Sequence, residues 1–266
     1  MSKMNQAVCG IRKLDELAAK DRWVNKLHPL VKLFLTVVYI TLVVSFPKYD
    51  LAGLAGMAVY PIVVFIIGEI SFRDAVYRMR VVLPLVCVVG IFNPVFDRKI
   101  ILNIGNIAVS GGVISMCTLM GKGIFSVLAS YLLMVSTSIE KICYALRLLH
   151  VPKLLVTQIL LTYRYISLLL SEASRMTQAY ALRAPGQRGI HFKAWGSLAG
   201  GLLLRSMDRA EYVYESMCIR GYCGEFYYGE RIKFCGKDVI YLLFWTVIFL
   251  VLRFLPVMEM LGRLFV

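Results

Sequence analysis

Residues 27–46 (LHPLVKLFLTVVYITLVVSF) form an apolar run close to the roughly 20 residues that cross a bilayer as a helix. Comparable runs recur at 51–70, 81–96, 113–136 and 239–255. Runs of this length and number are stable only as helices in lipid, where every backbone group must find its partner within the segment. The expected fold class is therefore all-α: a polytopic membrane protein of about five transmembrane helices. Composition agrees. The chain of 266 residues is 59% hydrophobic, with mean hydropathy +0.72, whereas a soluble domain is about half apolar.

The net charge of +14 fits either nucleic-acid binding or basic cytoplasmic loops. The apolar runs select the second, and no nucleic-acid-binding module is present. The first 26 residues, Met1 to Lys26, are polar and mixed in charge. They contain no apolar core ending in a small-residue cleavage site, so the first span is expected to be its own insertion signal. The seven cysteines (Cys9, Cys87, Cys117, Cys143, Cys218, Cys223 and Cys235) are odd in number and lack CxxC spacing. They read as apolar fillers, not as a disulfide framework.

Pro47 closes the first run, and Gly68-Glu69 closes the second. A basic segment, Ser71 to Arg80, carries Arg73, Arg78 and Arg80; the third run contains Pro84 and Asn93-Pro94. Residues 97–112 alternate apolar and polar around Gly105-Asn106, which predicts a hairpin-like loop. Lys122 stands inside the fourth run, where a cation costs about 2.5–3.5 kcal/mol on insertion scales. It either snorkels or contacts something within the bundle. With a cytoplasmic N-terminus, the arginine segment and the long stretch after the fourth span both fall inside, as the positive-inside rule asks. Asp97-Arg98-Lys99 is then an exception on the outer side, and residues 256–266 are a short tail. The organisation expected is 1–136 with four spans, 137–236 cytoplasmic or interfacial, and 237–266 with the last span and the tail.

The middle region is amphipathic and arginine-rich. No glycine or proline interrupts Lys153 to Arg183, and Thr157, Arg164, Ser171, Arg175 and Gln178 recur at helical spacing. Leu155, Ile159, Ile166, Leu169 and Met176 lie largely away from that stripe. This helix would be about 45 Å long, more than a simple span needs. Ala184-Pro185-Gly186 stops it. A second helix is expected over about 191–219, starting apolar (Trp195, Leu198, Leu202, Leu203, Leu204), turning charged (Arg205, Asp208, Arg209, Glu211, Glu215), and stopping at Gly221. Each helix ends in an apolar-Arg-small triplet, Leu182-Arg183-Ala184 and Ile219-Arg220-Gly221. A cation at a helix C-terminus can simply complement the dipole. A pair of them, on helices that insertion does not require, reads as a docking device for partner carboxylates.

Nothing in the sequence supplies an energy source or a cofactor site. There is no P-loop and no GxSxG, and His28, His150 and His191 belong to no metal-ligand pattern. A membrane enzyme would need a constellation among His150, His191, Asp208 and Glu211. The Glu211–Glu215 pair reads more simply as a solvated face. A hydrophobic protein with a docking device and no nucleotide site fits a subunit moved by ATP hydrolysis elsewhere.

The stretches Leu161-Thr162-Tyr163-Arg164-Tyr165, Ala181-Leu182-Arg183-Ala184-Pro185-Gly186, Arg205-Ser206-Met207-Asp208-Arg209-Ala210 and Glu215-Ser216-Met217-Cys218-Ile219-Arg220-Gly221-Tyr222 resemble the T component, the transmembrane coupling subunit, of energy-coupling-factor ABC transporters. The likeness is to the cobalt-type CbiQ branch. That family carries one X-Arg-X motif at the end of each coupling helix, here Leu182, Arg183, Ala184 and Ile219, Arg220, Gly221. The first departs from Ala-Arg-Gly, and Arg188-Gly189 offers a second register. The resemblance implies a non-catalytic subunit in a prokaryotic cell membrane with a pair of crossed coupling helices. Its partners would be two cytoplasmic ATPase subunits and a separate substrate-binding membrane subunit (the cobalt-type S component) that holds the Co²⁺. It implies no cofactor on this chain. Nickel or a vitamin is the alternative cargo within the same role, and an integral membrane enzyme is the alternative outside it.

Overall fold

The structure, a computed structural model, describes residues 9–10, 15–20, 22–96, 100–104, 107–186, 189–224 and 234–254. The chain divides into two units, Ala18–Thr137 with Ile232–Val266, and Met1–Leu17 with Ser138–Arg231.

In the first of these, a short helix α1 (Trp23–Lys26) leads to α2 (Pro29–Ser45). His28 is the N-cap of α2: its Nδ1 accepts from the Leu30 N–H at 3.2 Å, and Pro29 fills the first helical position, where no N–H is needed. The helix stops because Pro47 forces Phe46 into an extended conformation. The second apolar run is broken into α3 (Leu51–Gly56) and α4 (Val59–Ile67). At the break, the Tyr39 hydroxyl donates to the Met57 carbonyl at 2.9 Å, which supplies a freed backbone group with a partner inside the bundle. Helix α5 (Phe72–Phe96) starts earlier than the sequence suggested and runs through Pro84. Arg73 and Arg80 lie in its first turns, because a basic residue does not end a helix. A two-stranded antiparallel hairpin, β1 (Ile100–Ile104) and β2 (Ile107–Ser110), pairs Ile104 with Ile107, as the alternation around Gly105-Asn106 predicts. Asp97-Arg98-Lys99 and the 256–266 tail lie outside the described residues. Helices α6 (Gly111–Ser136) and α10 (Gly236–Phe254) complete the unit.

Two lysines lock α2 against α6 in antiparallel fashion. Lys32, in the first turn of α2, donates to the carbonyl of Ser136, the last residue of α6, at 2.8 Å. Lys122, in the middle of α6, donates to the carbonyls of Val44 and Phe46 at the end of α2, at 3.0 and 2.6 Å. Each lysine therefore serves the orphan carbonyls and the negative dipole end of the other helix. The two ties are about 20 Å apart along the helices. Lys122 is thus a contact within the bundle. Arg253 adds to the same end of α2, donating to the Ser45 carbonyl at 3.1 Å while its guanidinium lies 4.5 Å from the Phe46 ring centre.

Helix α10 runs parallel to α2. At its start the buried Asp238 carboxylate accepts from the backbone N–H of His28 and of Cys235, both at 3.0 Å. The second of these bonds is a capping interaction with the residue before the helix. Between α2, α4 and α10 sits an aromatic core: Tyr39, Tyr60, Trp245 and Phe249, with ring centres 4.8 to 5.8 Å apart. The chain leaves this unit after Ser136 and returns before Gly236, and both points lie at the end marked by Lys32 and Asp238. Helix α5 begins at that end too, since Phe72 meets Phe65, and Phe65 stacks on Tyr131 near the close of α6.

The outward faces are apolar: Val37 and Val44 of α2, Ile62 and Ile66 of α4, and Leu243, Phe244 and Val247 of α10 are all exposed. Gly111–Ser136 and Lys153–Arg183 are each long and apolar enough to cross a membrane, and Pro29–Ser45 and Leu51–Ile67 are shorter apolar helices. With the hairpin as a small departure among the described residues, this is an all-α membrane protein.

The other unit holds α7 (Ile139–Leu148), α8 (Lys153–Arg183) and α9 (Phe192–Ile219). Helix α7 is amphipathic and buries Cys143 and Ala145. The N-terminal segment joins this unit through Asp15, whose carboxylate accepts from the Tyr163 hydroxyl at 2.7 Å.

Candidate functional site: the α8–α9 hairpin and its arginine tips

Helix α8 persists for 31 residues because nothing between Lys153 and Arg183 breaks it. It ends where Pro185 withholds an N–H and disfavours helix at Ala184. Gly186 then turns the chain with φ +99°. His191 restarts the helix as the N-cap of α9, its Nδ1 accepting from the Lys193 N–H at 3.4 Å.

Three contacts fix the packing of the two helices. The Tyr180 hydroxyl accepts from the His191 N–H at 3.4 Å. Gly201 lies against Met176, where an added Cβ would stand 3.3 Å from Met176 Cε. Glu172 is the joint: its carboxylate accepts a short hydrogen bond from Arg205 and lies 3.8 Å from Arg175 Nη1. The residue numbers fall on α8 as they rise on α9, so the pair is an antiparallel hairpin. Leu202, Ser206, Val213 and Met217 are half-buried and line the groove between α9 and α8.

This geometry separates the two arginine corners. Arg183 lies 11 residues beyond Glu172, about 16 Å along α8, and Arg220 lies 15 residues beyond Arg205, about 22 Å along α9 in the opposite direction. Both are exposed, and their flanking residues Leu182 and Ile219 are 83% and 87% exposed.

The two corners differ locally. Arg220 caps α9, and Gly221 follows in the left-handed region with φ +82°. The Gly221 N–H donates to the Cys218 carbonyl and the Tyr222 N–H to the Met217 carbonyl, each at 3.0 Å. This is a Schellman stop, which fixes the direction of the chain at Arg220. Arg183 is the last residue of α8, followed by Ala184, whose N–H donates to Tyr180 at 3.1 Å. Arg188, the other possible register, lies outside the described residues.

Of the polar stripe expected on α8, Arg164, Ser171 and Arg175 line a groove between the two helices, and Thr157 and Gln178 do not. Glu172 was not singled out from the sequence. Its signal was available, because it is the lone acidic residue between Lys153 and Arg183. His191 and Asp208 are 17 residues apart on α9, about 26 Å, so the constellation a membrane enzyme would need is not brought together there. Among the described residues, no three His, Cys, Asp or Glu side chains converge as metal ligands. His28 and His191 both act as helix caps.

An apolar helical bundle in a chain that also carries a helical hairpin with two exposed arginine ends defines an all-α membrane protein. The sequence profile of the CbiQ family, described as cobalt transport protein, matches residues 20–228. The chain belongs to this family of cobalt transport proteins. An uncharacterized protein of Methanocaldococcus jannaschii is 29% identical over 194 residues, covering 68% of this chain. The match spans 66% of the length of that archaeal protein.

Proposed function

We propose that the chain is the transmembrane energy-coupling subunit of an ATP-driven importer, with cobalt as the transported ion. In this reading Leu182, Arg183, Ala184 and Ile219, Arg220, Gly221 dock into two cytoplasmic ATPase subunits, and a separate membrane subunit holds the substrate. The observation that carries it is the arrangement of Arg183 and Arg220. They sit at the far ends of one antiparallel hairpin, joined through Glu172 and Arg205, each beside an almost fully uncovered apolar side chain. A rigid element with two separated tips suits two copies or two kinds of ATPase. Relative motion of those subunits would act on the hairpin as a lever.

The membrane unit supports a matching orientation. The start of α5, with Arg73 and Arg80, and both points where the chain passes to the hairpin unit share one end. In this reading that end faces the cytoplasm of a prokaryotic cell, as the positive-inside rule asks, and the N-terminus is cytoplasmic too. The chain itself takes no catalytic role and no cofactor in this reading. The test is co-purification of ATPase subunits with the tagged chain, and its loss in an Arg183→Glu, Arg220→Glu variant.

A further inference from the structure

The groove between α8 and α9 has chemistry that the docking reading, which uses only Arg220 and Gly221 of its lining, leaves unused. It opens on the side of Glu172 away from the Tyr180 contact and encloses about 850 Å³. Its walls carry Arg164, Arg175, Arg205, Arg209 and Arg220 against the carboxylates of Glu172 and Asp208. Five cations against two anions leave an excess of positive charge. Glu172 is already engaged by Arg205 and Arg175, and among the described residues Arg164, Arg209 and Arg220 have no ion-pair partner. Between the arginines the lining is aliphatic, with Leu161, Leu168 and Leu169 from α8 and Leu202, Val213 and Met217 from α9.

We infer that this groove binds an anionic phospholipid. The guanidinium groups of Arg164 and Arg209 would hold the headgroup phosphate by forked hydrogen bonds, and an acyl chain would lie over the leucines. Charge complementarity and setting select this occupant. One wall is α8, a helix apolar enough to lie in or cross a membrane, so lipid is the anion at highest local concentration. Basic pockets beside membrane helices on the cytoplasmic side recognise such headgroups. A free inorganic anion would gain nothing from the aliphatic lining. The inference does not depend on ATPase docking, and its variants leave Arg183 and Arg220 intact.

The test uses the full chain reconstituted in nanodiscs of phosphatidylglycerol and phosphatidylcholine in equal amounts, released and weighed by native mass spectrometry. Wild type is expected to retain phosphatidylglycerol selectively. The Arg164→Gln, Arg209→Gln variant, both at exposed positions, is expected to retain it about 30-fold more weakly, which is about 2 kcal/mol for two interfacial arginines. An Arg164→Lys, Arg209→Lys variant keeps the charge and is expected to keep most of the selectivity. Equal retention of both lipids by wild type, or unchanged selectivity in the Gln variant, overturns the proposal. So does displacement of the lipid by inorganic phosphate. Cross-linking of a partner protein's acidic segment, in place of lipid, at a photoreactive group on Val213 also overturns it.

Discussion

Replacing Lys122 by methionine removes a cation from the middle of an apolar helix and, on hydropathy alone, should help the protein. The structure gives the opposite sign. Lys122 Nζ holds the carbonyls of Val44 and Phe46, which have no helical partner because α2 ends there. Interhelical hydrogen bonds in membrane proteins average about 0.6 kcal/mol, and bonds to a charged group reach about 1.5–3 kcal/mol. Two bonds of this kind span about 1 to 6 kcal/mol; the loss belongs in the lower part, about 1–3 kcal/mol, because Lys122 is only half-buried and Arg253 still reaches Ser45. The Lys32→Met change belongs at the upper figure of about 3 kcal/mol, since Lys32 is buried and also donates to the Asn25 carbonyl at 3.5 Å. The ties are far enough apart that the double variant should lose about the sum. Thermal unfolding in detergent, followed by fluorescence of Trp245 in the aromatic core, measures all three. Equal or greater stability of Lys122→Met would refute the view that these lysines are reciprocal helix caps.

Asp238→Asn should cost about 1–3 kcal/mol in the same assay, because the carboxylate acceptor of two backbone N–H groups, that of His28 buried and that of Cys235 partly so, is weakened. The Gly221→Ala change forces an L side chain into the left-handed region at a cost of about 1 kcal/mol, and should speed amide hydrogen exchange at residues 217–222 while leaving α8 unchanged. Burial pushes the Cys143 thiol up, with the Glu140 carboxylate adding to it. A maleimide should therefore label Cys143 slowly, and faster as pH rises, whereas the exposed Cys218 and Cys223 react first; equally fast labelling at Cys143 would contradict its burial.

Much of this architecture was legible in the sequence because local chemistry decides it. Pro47, Pro185 and Gly221 each stop a helix by a backbone rule that needs no tertiary knowledge, and the hairpin at Gly105-Asn106 follows from alternation and turn residues. The start of α5 was not legible, since Arg73 and Arg80 signal a membrane boundary but say nothing about whether the backbone there is helical. The break at Met57-Ala58 was hidden for another reason. It is stabilised by Tyr39, 18 residues away, and such a bond exists only after α2 packs. Lys122 was visible as an anomaly, but its answer lies 76 and 78 residues earlier, at Phe46 and Val44. Lys32 drew no notice, because near the start of an apolar run a lysine reads as an interfacial anchor. At the candidate site the arginine tips could be read from the sequence alone, whereas the joint at Glu172 needed the pairing of the two helices.

Co-purification of the tagged chain in mild detergent, with and without charge reversal at Arg183 and Arg220, tests the coupling role most directly. The account expects ATPase subunits and a second membrane protein with the wild type, and loss of the ATPases alone in the Arg183→Glu, Arg220→Glu variant. A reversed variant that retains its ATPases in full, or a wild-type chain that recovers none, would contradict it.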